Sequence, residues 1–280
     1  MTADHSVRFV KAEANGNDFL VVDAAAVGAA GRPEFARAIC DRHRGVGADG
    51  VEFVRPRGSG FELELFNADG SEAEVSGNGT RCVAAFYAKH GFREGVLETK
   101  AGPRTARVLE GLGATWMIEI DLGPPRIDGP RVLAVPPGEV VGTELSMGNP
   151  QFQVLVDEFP ANWVELGAAI EKHPHFPQHT NVGFVRVVNR HHLEVRIFER
   201  GVGPTNSSGT GTSAAAVAAI AAGLADSPVE VSSPGGKQKV TWAGEGHSVK
   251  LIGPATILAE GVFYPHGLHA APGSSPNPGL

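Results

Sequence analysis

The chain has 280 residues, of which 42% are hydrophobic and 20% charged, a composition typical of globular proteins and a length sufficient for two domains. Its formal net charge is -7, and no run of five or more lysines and arginines occurs, which argues against nucleic-acid partners. The chain does not open on a basic segment followed by an apolar one, and it has no stretch of eighteen apolar residues. We therefore expect a cytoplasmic protein with no membrane partner.

The first half of the chain is predicted to alternate between strands and helices. A helix fits residues 33–44, with Pro33 near its start. FELELF at 61–66 alternates polar and apolar residues, which is typical of a strand. A second helix is predicted after Ser76 and should end at Gly91, and GVLETK at 95–100 is predicted to be a strand.

The second half shows the same order of elements. A helix fits residues 162–173, and LEVRIF at 193–198 is predicted to be a strand. Another helix follows Ser208 and should end at Gly223, before the strand-like PVEVSS at 228–233. Cys40 and Cys82 lack CxxC or metal-ligand spacing, so we expect two buried, reduced thiols.

These two halves correspond at a constant separation. The pattern Ser-Gly-x-Gly-Thr begins at Ser76 and again at Ser208, 132 residues later. The same separation relates Gly16-Asn17 to Gly148-Asn149, FELELF to LEVRIF, and Asn67 to Glu199. The sequence therefore predicts an internal duplication, and with it two similar domains of the α+β class.

The boundary between the domains is expected in the Pro/Gly-rich stretch 121–139. We place the first domain at residues 1–123 and the second at 124–266, with the return of the last strand to the first domain as an alternative. Residues 267–280 are rich in proline, glycine and serine, which predicts a flexible tail. A cleft between two similar domains is a common place for a small ligand.

Each Ser-Gly-x-Gly-Thr turn leads into a helix, where unpaired backbone N–H groups and the helix dipole favour an anion. Three interpretations compete. Ser76 and Ser208 are good N-caps, since serine is a preferred residue there. They could instead flank one bound acid and act on one carbon from opposite faces. The stretch 209–214 also matches a GxGxxA dinucleotide fingerprint, but ten residues separate it from the preceding strand.

Several segments together resemble the diaminopimelate epimerase family. NADGSEAEVSGNGTRC and ERGVGPTNSSGTG resemble its two active-site motifs. Further similar segments occur in the expected order: GNDF, DRHRGVGADG, LETKAG, SMGNP and HPHFPQHTNVGFV. The resemblance covers roughly residues 8–260. It implies two pseudo-symmetric domains, each a β-sheet wrapped around a central helix, with an active site between them.

The resemblance also implies a chemistry and a set of residues. Family members use neither pyridoxal phosphate nor a metal, so no cofactor is expected. One base removes the α-proton of an amino acid and the other returns a proton from the opposite face. By resemblance, Ser76 and Ser208 hold these two base positions. The substrate-binding positions carried over are Asn17, Asn67, Gly77, Asn78, Asn149, Asn181, Glu199, Arg200, Gly209 and Thr210. Glu199 and Arg200 together suit a zwitterionic amino-acid end.

The chain departs from the family at the bases themselves. Both positions are normally cysteine, whose pKa a helix N-terminus can lower to about 3.5–7.5, whereas a serine hydroxyl titrates far above that range. A serine base therefore needs an activating neighbour. Glu74 lies close to Ser76 in sequence, and the nearest histidines to Ser208 are His191 and His192. Gln151 also stands where the family commonly has histidine.

We therefore expect an isomerase of the cofactor-independent amino-acid epimerase class, acting on LL- or meso-diaminopimelate by two-base proton transfer. A catalytically silent amino-acid-binding homologue, or a related isomerase of another small acid, remains the alternative. Deliberate replacement of both cysteines by serine would explain the same sequence. A homodimer formed through edge strands is a further expectation.

Overall fold

The computed structural model of the protein describes residues 6–265, so the predicted tail at 267–280 lies outside the described residues. The chain divides into two compact units, with breaks after Ile120 and after Gly253. Unit 1 holds the segments on either side of residues 121–253, and unit 2 holds those residues. The domain boundary at residue 123 stays a prediction.

Unit 1 consists of strands around one enclosed helix, with a second helix outside. Its helices are α1 (Arg32–Cys40) and α2 (Gly77–Lys89). Its strands are β1 (Val7–Ala14), β2 (Asn17–Asp23), β3 (Gly50–Arg57), β4 (Gly60–Asn67), β5 (Glu72–Ala73), β6 (Glu94–Thr99), β7 (Gly102–Leu112) and β8 (Thr115–Asp121).

The pairing in unit 1 mixes parallel and antiparallel neighbours. β1 is antiparallel to β2, β2 is parallel to β3, and β3 is antiparallel to β4. β4 is parallel to β6, which is antiparallel to β7. A later strand, β17 (Lys250–Phe263), pairs antiparallel with β1 from Phe263 back to Thr256.

Unit 2 repeats this plan. Its helices are α3 (Trp163–Glu171) and α4 (Gly209–Ala221). Its strands are β9 (Arg126–Val135), β10 (Gly138–Ser146), β11 (Pro150–Val156), β12 (Asn181–Asn189), β13 (His192–Glu199), β14 (Gly203–Thr205), β15 (Val229–Ser233) and β16 (Gly236–Thr241). Most of the Pro/Gly-rich stretch predicted to hold the domain boundary is therefore strand β9.

The pairings of unit 2 follow those of unit 1 step by step. β10 is antiparallel to β11, β11 is parallel to β12, and β12 is antiparallel to β13. β13 is parallel to β15, which is antiparallel to β16. β9 pairs antiparallel with β10, as β17 does with β1 in the other unit. The predicted α+β fold of two similar domains is confirmed.

The two central helices are enclosed by their own sheets. Every residue of α2 from Gly77 to Ala88 is buried, and so is every residue of α4 from Gly209 to Ala219. A helix that is buried on all sides carries apolar or small residues around its whole circumference. The alanines of α4 satisfy this requirement and allow the surrounding strands to approach closely.

Helix α1 covers a separate aromatic core and is shorter than predicted. Phe35 packs against Phe53 of β3, with ring centroids 5.9 Å apart. The predicted helix over 33–44 ends at Cys40, because the Asp41 carboxylate accepts hydrogen bonds from the N–H groups of His43 and Arg44. Such a side-chain to backbone turn competes with continuation of the helix.

The predictions that glycines follow the ends of α2 and α4 and that both cysteines are buried are confirmed. Gly91 and Gly223 have φ angles of 96° and 72°, which favour glycine just after a helix. Cys40 and Cys82 are free and buried, and burial raises the pKa of both thiols, that of Cys40 to about 12.

Candidate active site

Ser76 and Ser208 have the same local geometry at the starts of α2 and α4. Ser76 Oγ accepts a hydrogen bond from Gly79 N at 3.0 Å, and Ser208 Oγ accepts one from Gly211 N at 3.3 Å. Both residues have extended backbones, as N-caps do. The N-cap interpretation thus describes both serines. Their role as acid/base groups stays a prediction.

The predicted residues of unit 1 form a linked set of amides beside Ser76. Asn78 Nδ2 donates to Asn17 Oδ1 at 3.1 Å, and Asn17 Nδ2 donates to Asp49 Oδ2 at 2.6 Å. Arg81 lies fully buried behind them and donates to Asn78 Oδ1 at 2.7 Å. The amide groups of Asn17 and Asn78 are therefore held in fixed orientations next to the helix N-terminus.

Asn67 lies at the same end of the sheet as Asn17. It ends β4 and pairs with Gly50, which pairs with Phe19 on β2. Its side chain donates to Ser71 Oγ at 3.0 Å. Asp49, which precedes Gly50, is a residue that the sequence analysis did not single out. It also accepts from Arg42 at 2.7 Å, so the DRHRGVGADG segment closes on itself through an ion pair.

Unit 2 reproduces the first amide contact with a different donor. Asn149 Nδ2 donates to Thr210 Oγ1 at 3.3 Å, and these two residues correspond to Asn17 and Asn78 at the repeat separation of 132. Gln151, the residue in place of the common family histidine, donates to Asn149 Oδ1 at 2.9 Å. Gln151 therefore supports Asn149 with a neutral amide.

The remaining predicted residues of unit 2 lie where β12 begins and β13 ends. Asn181 Oδ1 accepts from the backbone N of Arg200 at 3.0 Å, and Asn181 Nδ2 donates to the carbonyl of Pro150 at 2.9 Å. The register pairs Val182 with Phe198, which sets Asn181 beside Glu199. Glu171, buried and not predicted, accepts from Gly201 N at 3.2 Å and fixes the loop after Arg200.

The glycine-rich turns place backbone N–H donors at the start of each enclosed helix. Gly77 and Asn78 are the first residues of α2, and Gly209 and Thr210 are the first residues of α4. The first N–H groups of a helix have no acceptor within that helix and point outward at its positive end. Each unit therefore carries one surface suited to a carboxylate, beside its serine.

A buried carboxyl lies behind the turn in unit 1. Glu52 on β3 is 1% exposed, and its Oε1 has no hydrogen-bond partner. Glu52 borders a cavity of about 10 Å³, on the order of the space that one water molecule needs, together with Ser76, Thr80 and Thr99. Burial raises the pKa of Glu52 to about 8.

Unit 2 has no carboxyl at the corresponding place. In β3 and β12 the separation is 131 rather than 132: GVEFVR at 50–55 aligns with NVGFVR at 181–186, so Gly183 stands where unit 1 has Glu52. In the strand ladders, Val21 pairs with Glu52 and Gln153 pairs with Gly183. A Cβ on Gly183 would collide with the Gln153 side chain, so a neutral amide fills this space. The two serines therefore differ in what lies behind them.

A matched pair of glycine substitutions tests the placement of Glu52. A Cβ at Gly79 or Gly211 would lie 3.2 Å from the Cβ of its own cap serine. At Gly79 it would also collide with Glu52 Oε1, whereas at Gly211 it would lie 3.1 Å from Ile197 Cδ1. We expect Gly79→Ala to lower the free energy of unfolding by about 1–3 kcal/mol and Gly211→Ala to change it much less, because alanine also favours the helix. Urea unfolding of both variants measures this, and equal losses would place Glu52 away from Gly79.

Residues 6–265 contain no group of three or more His, Cys, Asp or Glu side chains arranged to hold a metal ion. None of the helices in that part of the chain is long and apolar enough to cross a membrane.

The chain is similar to a known protein family over most of its length. A family model described as diaminopimelate epimerase matches residues 9–127 and 143–258. A diaminopimelate epimerase of Stutzerimonas stutzeri (strain A1501) is 40% identical over 275 residues, covering 91% of this chain and 98% of the relative. That of Azoarcus sp. (strain BH72) is 40% identical over 274 residues, with the same coverage.

Solved structures of lower sequence identity share the fold. A hydroxyproline epimerase from Agrobacterium vitis superimposes with a TM-score of 0.70 at 18% identity, covering 92% of this chain and 91% of its own. A probable proline racemase from Agrobacterium radiobacter K84 gives a TM-score of 0.72 at 16% identity, with 91% and 92% coverage. At such identities the similarity supports the fold alone.

Proposed function

This chain belongs to the diaminopimelate epimerase family, and on that premise we propose that it interconverts LL- and meso-diaminopimelate without a cofactor. The observation that carries the proposal is the duplicated helix N-terminus. Each copy joins a serine, two outward backbone donors and an oriented amide, at equivalent positions of the repeat. These groups can hold a carboxylate and transfer a proton at the carbon beside it.

In the proposed reaction, Ser76 and Ser208 occupy the two base positions. One oxygen accepts the α-proton, and the electron pair of the broken C–H bond moves towards the substrate carboxylate. The N–H groups at the helix N-termini stabilise the added negative charge. The other serine supplies its hydroxyl proton to the opposite face of the carbon, which inverts its configuration, and the resulting alkoxide regains a proton from water.

The proposed substrate contacts follow from the family resemblance. Gly77, Asn78, Gly209 and Thr210 are the positions proposed to hold the reacting carboxylate. Glu199 and Arg200 would bind the distal amino-acid end, because a carboxylate and a guanidinium match the ammonium and carboxylate of that end. The amides proposed to orient the substrate are Asn17, Asn67, Asn149 and Asn181.

A second candidate is a binding protein of the same fold that performs no chemistry. The two serines favour it, since neither oxygen has the low pKa that a thiol gains at a helix N-terminus. Such a protein would keep the substrate contacts and bind diaminopimelate without altering it. A cytoplasmic location and a homodimer remain further predictions.

Exchange of the α-hydrogen with solvent separates the two candidates. We expect the protein to incorporate deuterium from D₂O at the α-carbon of LL- and meso-diaminopimelate, detected by proton NMR or mass spectrometry. If calorimetry shows that diaminopimelate binds but no deuterium is taken up, the protein is the binding protein that performs no chemistry. No binding of diaminopimelate, with binding of NAD instead, would overturn both and favour the dinucleotide interpretation.

A further inference from the structure

Glu52 is a buried carboxyl that no structural role explains. Its side chain is 1% exposed, and Oε1 accepts no hydrogen bond from any described residue. Burying such a group without a partner is unfavourable by one to several kcal/mol, so it calls for an explanation. A leucine at this position of the strand would pack in the same place without that penalty.

The cavity beside Glu52 connects it to Ser76. Both residues border it, and a Cβ added to Gly79 would touch both of them. The two hydroxyls that also border the cavity donate elsewhere, Thr80 Oγ1 to the carbonyl of Ser76 at 2.9 Å and Thr99 Oγ1 to that of Gly102 at 2.7 Å. Neither hydroxyl satisfies the carboxyl of Glu52.

The Ser76 hydroxyl keeps a proton that it can donate. Its Oγ accepts the N–H of Gly79 through a lone pair, and a hydroxyl that accepts one bond keeps its own proton for donation. Glu74 also borders the cavity but is partly exposed, whereas Glu52 is enclosed. Glu52 is therefore the fully buried acceptor on the inner side of Ser76.

We propose that Glu52 is the proton acceptor that activates Ser76. The inference rests on the proposed epimerase function and extends it. As Ser76 Oγ takes the α-proton of the substrate, the hydroxyl proton of Ser76 passes to the Glu52 carboxylate, directly or through one water molecule in the cavity. The C–H electron pair remains on the substrate, and no net charge is created at the serine. Protonation in the reverse direction returns the proton along the same path.

The surroundings of Glu52 suit this role. Its strand neighbours on β2 and β4, Val21 and Leu65, are apolar. Glu74 borders the same cavity, and the Cys82 thiol lies near enough to interact with Glu52. Burial raises the pKa of that thiol; Arg81 opposes the rise, and Glu13, Glu52 and Asp18 add to it. Burial alone raises the pKa of Glu52 to about 8, close to the value at which a general base works best.

Unit 2 has no buried carboxyl behind its Ser-Gly-x-Gly-Thr turn, so Ser76 and Ser208 are inequivalent. Gly183 stands in place of Glu52, and Ile197 rather than a carboxyl faces the glycine of the second turn. The neutral amides of Gln151 and Gln153 fill the space behind that turn. Proton storage behind a serine is therefore confined to the Ser76 side.

The test is Glu52→Gln in the full chain, assayed by deuterium uptake into diaminopimelate and by epimerisation. We expect kcat to fall by about 100-fold or more, with KM changed by less than threefold. The rise of kcat/KM with pH near 8 should disappear. Thr99→Val, which alters another wall of the same cavity, should keep both the rate and the pH profile.

A thiol at position 76 gives the decisive comparison. Glu52→Gln should cost less than threefold in a Ser76→Cys, Ser208→Cys background, because a thiolate at a helix N-terminus needs no acceptor. An equal loss in both backgrounds would show a structural role and overturn the inference. If the unchanged protein exchanges the α-hydrogen and the Glu52→Gln variant exchanges it equally fast, this inference is wrong, but the proposed function stands. No exchange by the unchanged protein would overturn the proposed function, and this inference with it.

Discussion

Replacing Ser76 and Ser208 together by cysteine is expected to raise the rate of LL-to-meso epimerisation near pH 7.5 by about 100-fold or more. The scaffold already provides what a thiol needs. Each position is an N-cap whose side-chain atom accepts a backbone N–H, at the positive end of a buried helix. The same field that lowers the pKa of a thiol to about 3.5–7.5 leaves a hydroxyl protonated. Epimerisation is followed by separating the two diastereomers after incubation with each.

The single variants and an inert pair complete this experiment. Ser76→Cys alone and Ser208→Cys alone should each give less than the double variant, because inversion needs an acid on one face and a base on the other. Ser76→Ala with Ser208→Ala should abolish deuterium uptake while diaminopimelate still binds. If the double cysteine variant folds, binds diaminopimelate and does not epimerise it, the assignment of these positions as bases is wrong.

The repeat and the two central helices could be predicted from the sequence because they depend on local residue patterns. Period-two strands, two Ser-Gly-x-Gly-Thr turns and glycines with a positive φ all recur at one separation, and the structure shows the same order of pairings in both units. The pattern of α1 was misleading at its end. Residues 41–44 contain no glycine or proline to mark a stop, but the Asp41 carboxylate accepts hydrogen bonds from two backbone N–H groups and ends the helix.

Glu52 could not be recognised from sequence, although it borders Ser76. In the segment GVEFVR an isolated glutamate in a strand indicates a residue facing solvent, by the usual alternation. The sheet of unit 1 wraps around α2, so the face of β3 that carries Glu52 is covered by the helix. Alignment of GVEFVR with NVGFVR would have marked the position, because the second copy has glycine there. The proposed substrate residues were taken from motif similarity alone, and they stay predictions.

Glu52→Leu is expected to raise the free energy of unfolding by about 3 kcal/mol at pH 7, while Glu52→Gln or Glu52→Leu abolishes the function proposed for this carboxyl. The pKa of Glu52 is about 8 in the folded protein and has a reference value of 4.5. Below pH 4.5 the carboxyl is protonated in both states and carries no ionisation penalty. Between pH 4.5 and 8 the unfolded state loses the proton while the folded state keeps it. Unfolding therefore becomes more favourable by about 1.4 kcal/mol per pH unit, and the loss is complete above pH 8.

The pH dependence distinguishes this mechanism from simple repacking. Urea unfolding at pH 4.5, 6, 7 and 8.5 should show the gap between Glu52→Leu and the unchanged protein widening across that window and then remaining constant. A gain from better packing alone would be the same at every pH and would contradict the burial of an ionisable carboxyl. Leu65→Ile, a substitution on the neighbouring strand that adds no charge, serves as the control and should shift stability uniformly. The Glu52 carboxyl beside Ser76 lowers the stability of the folded protein, and proton transfer explains why such a residue is kept.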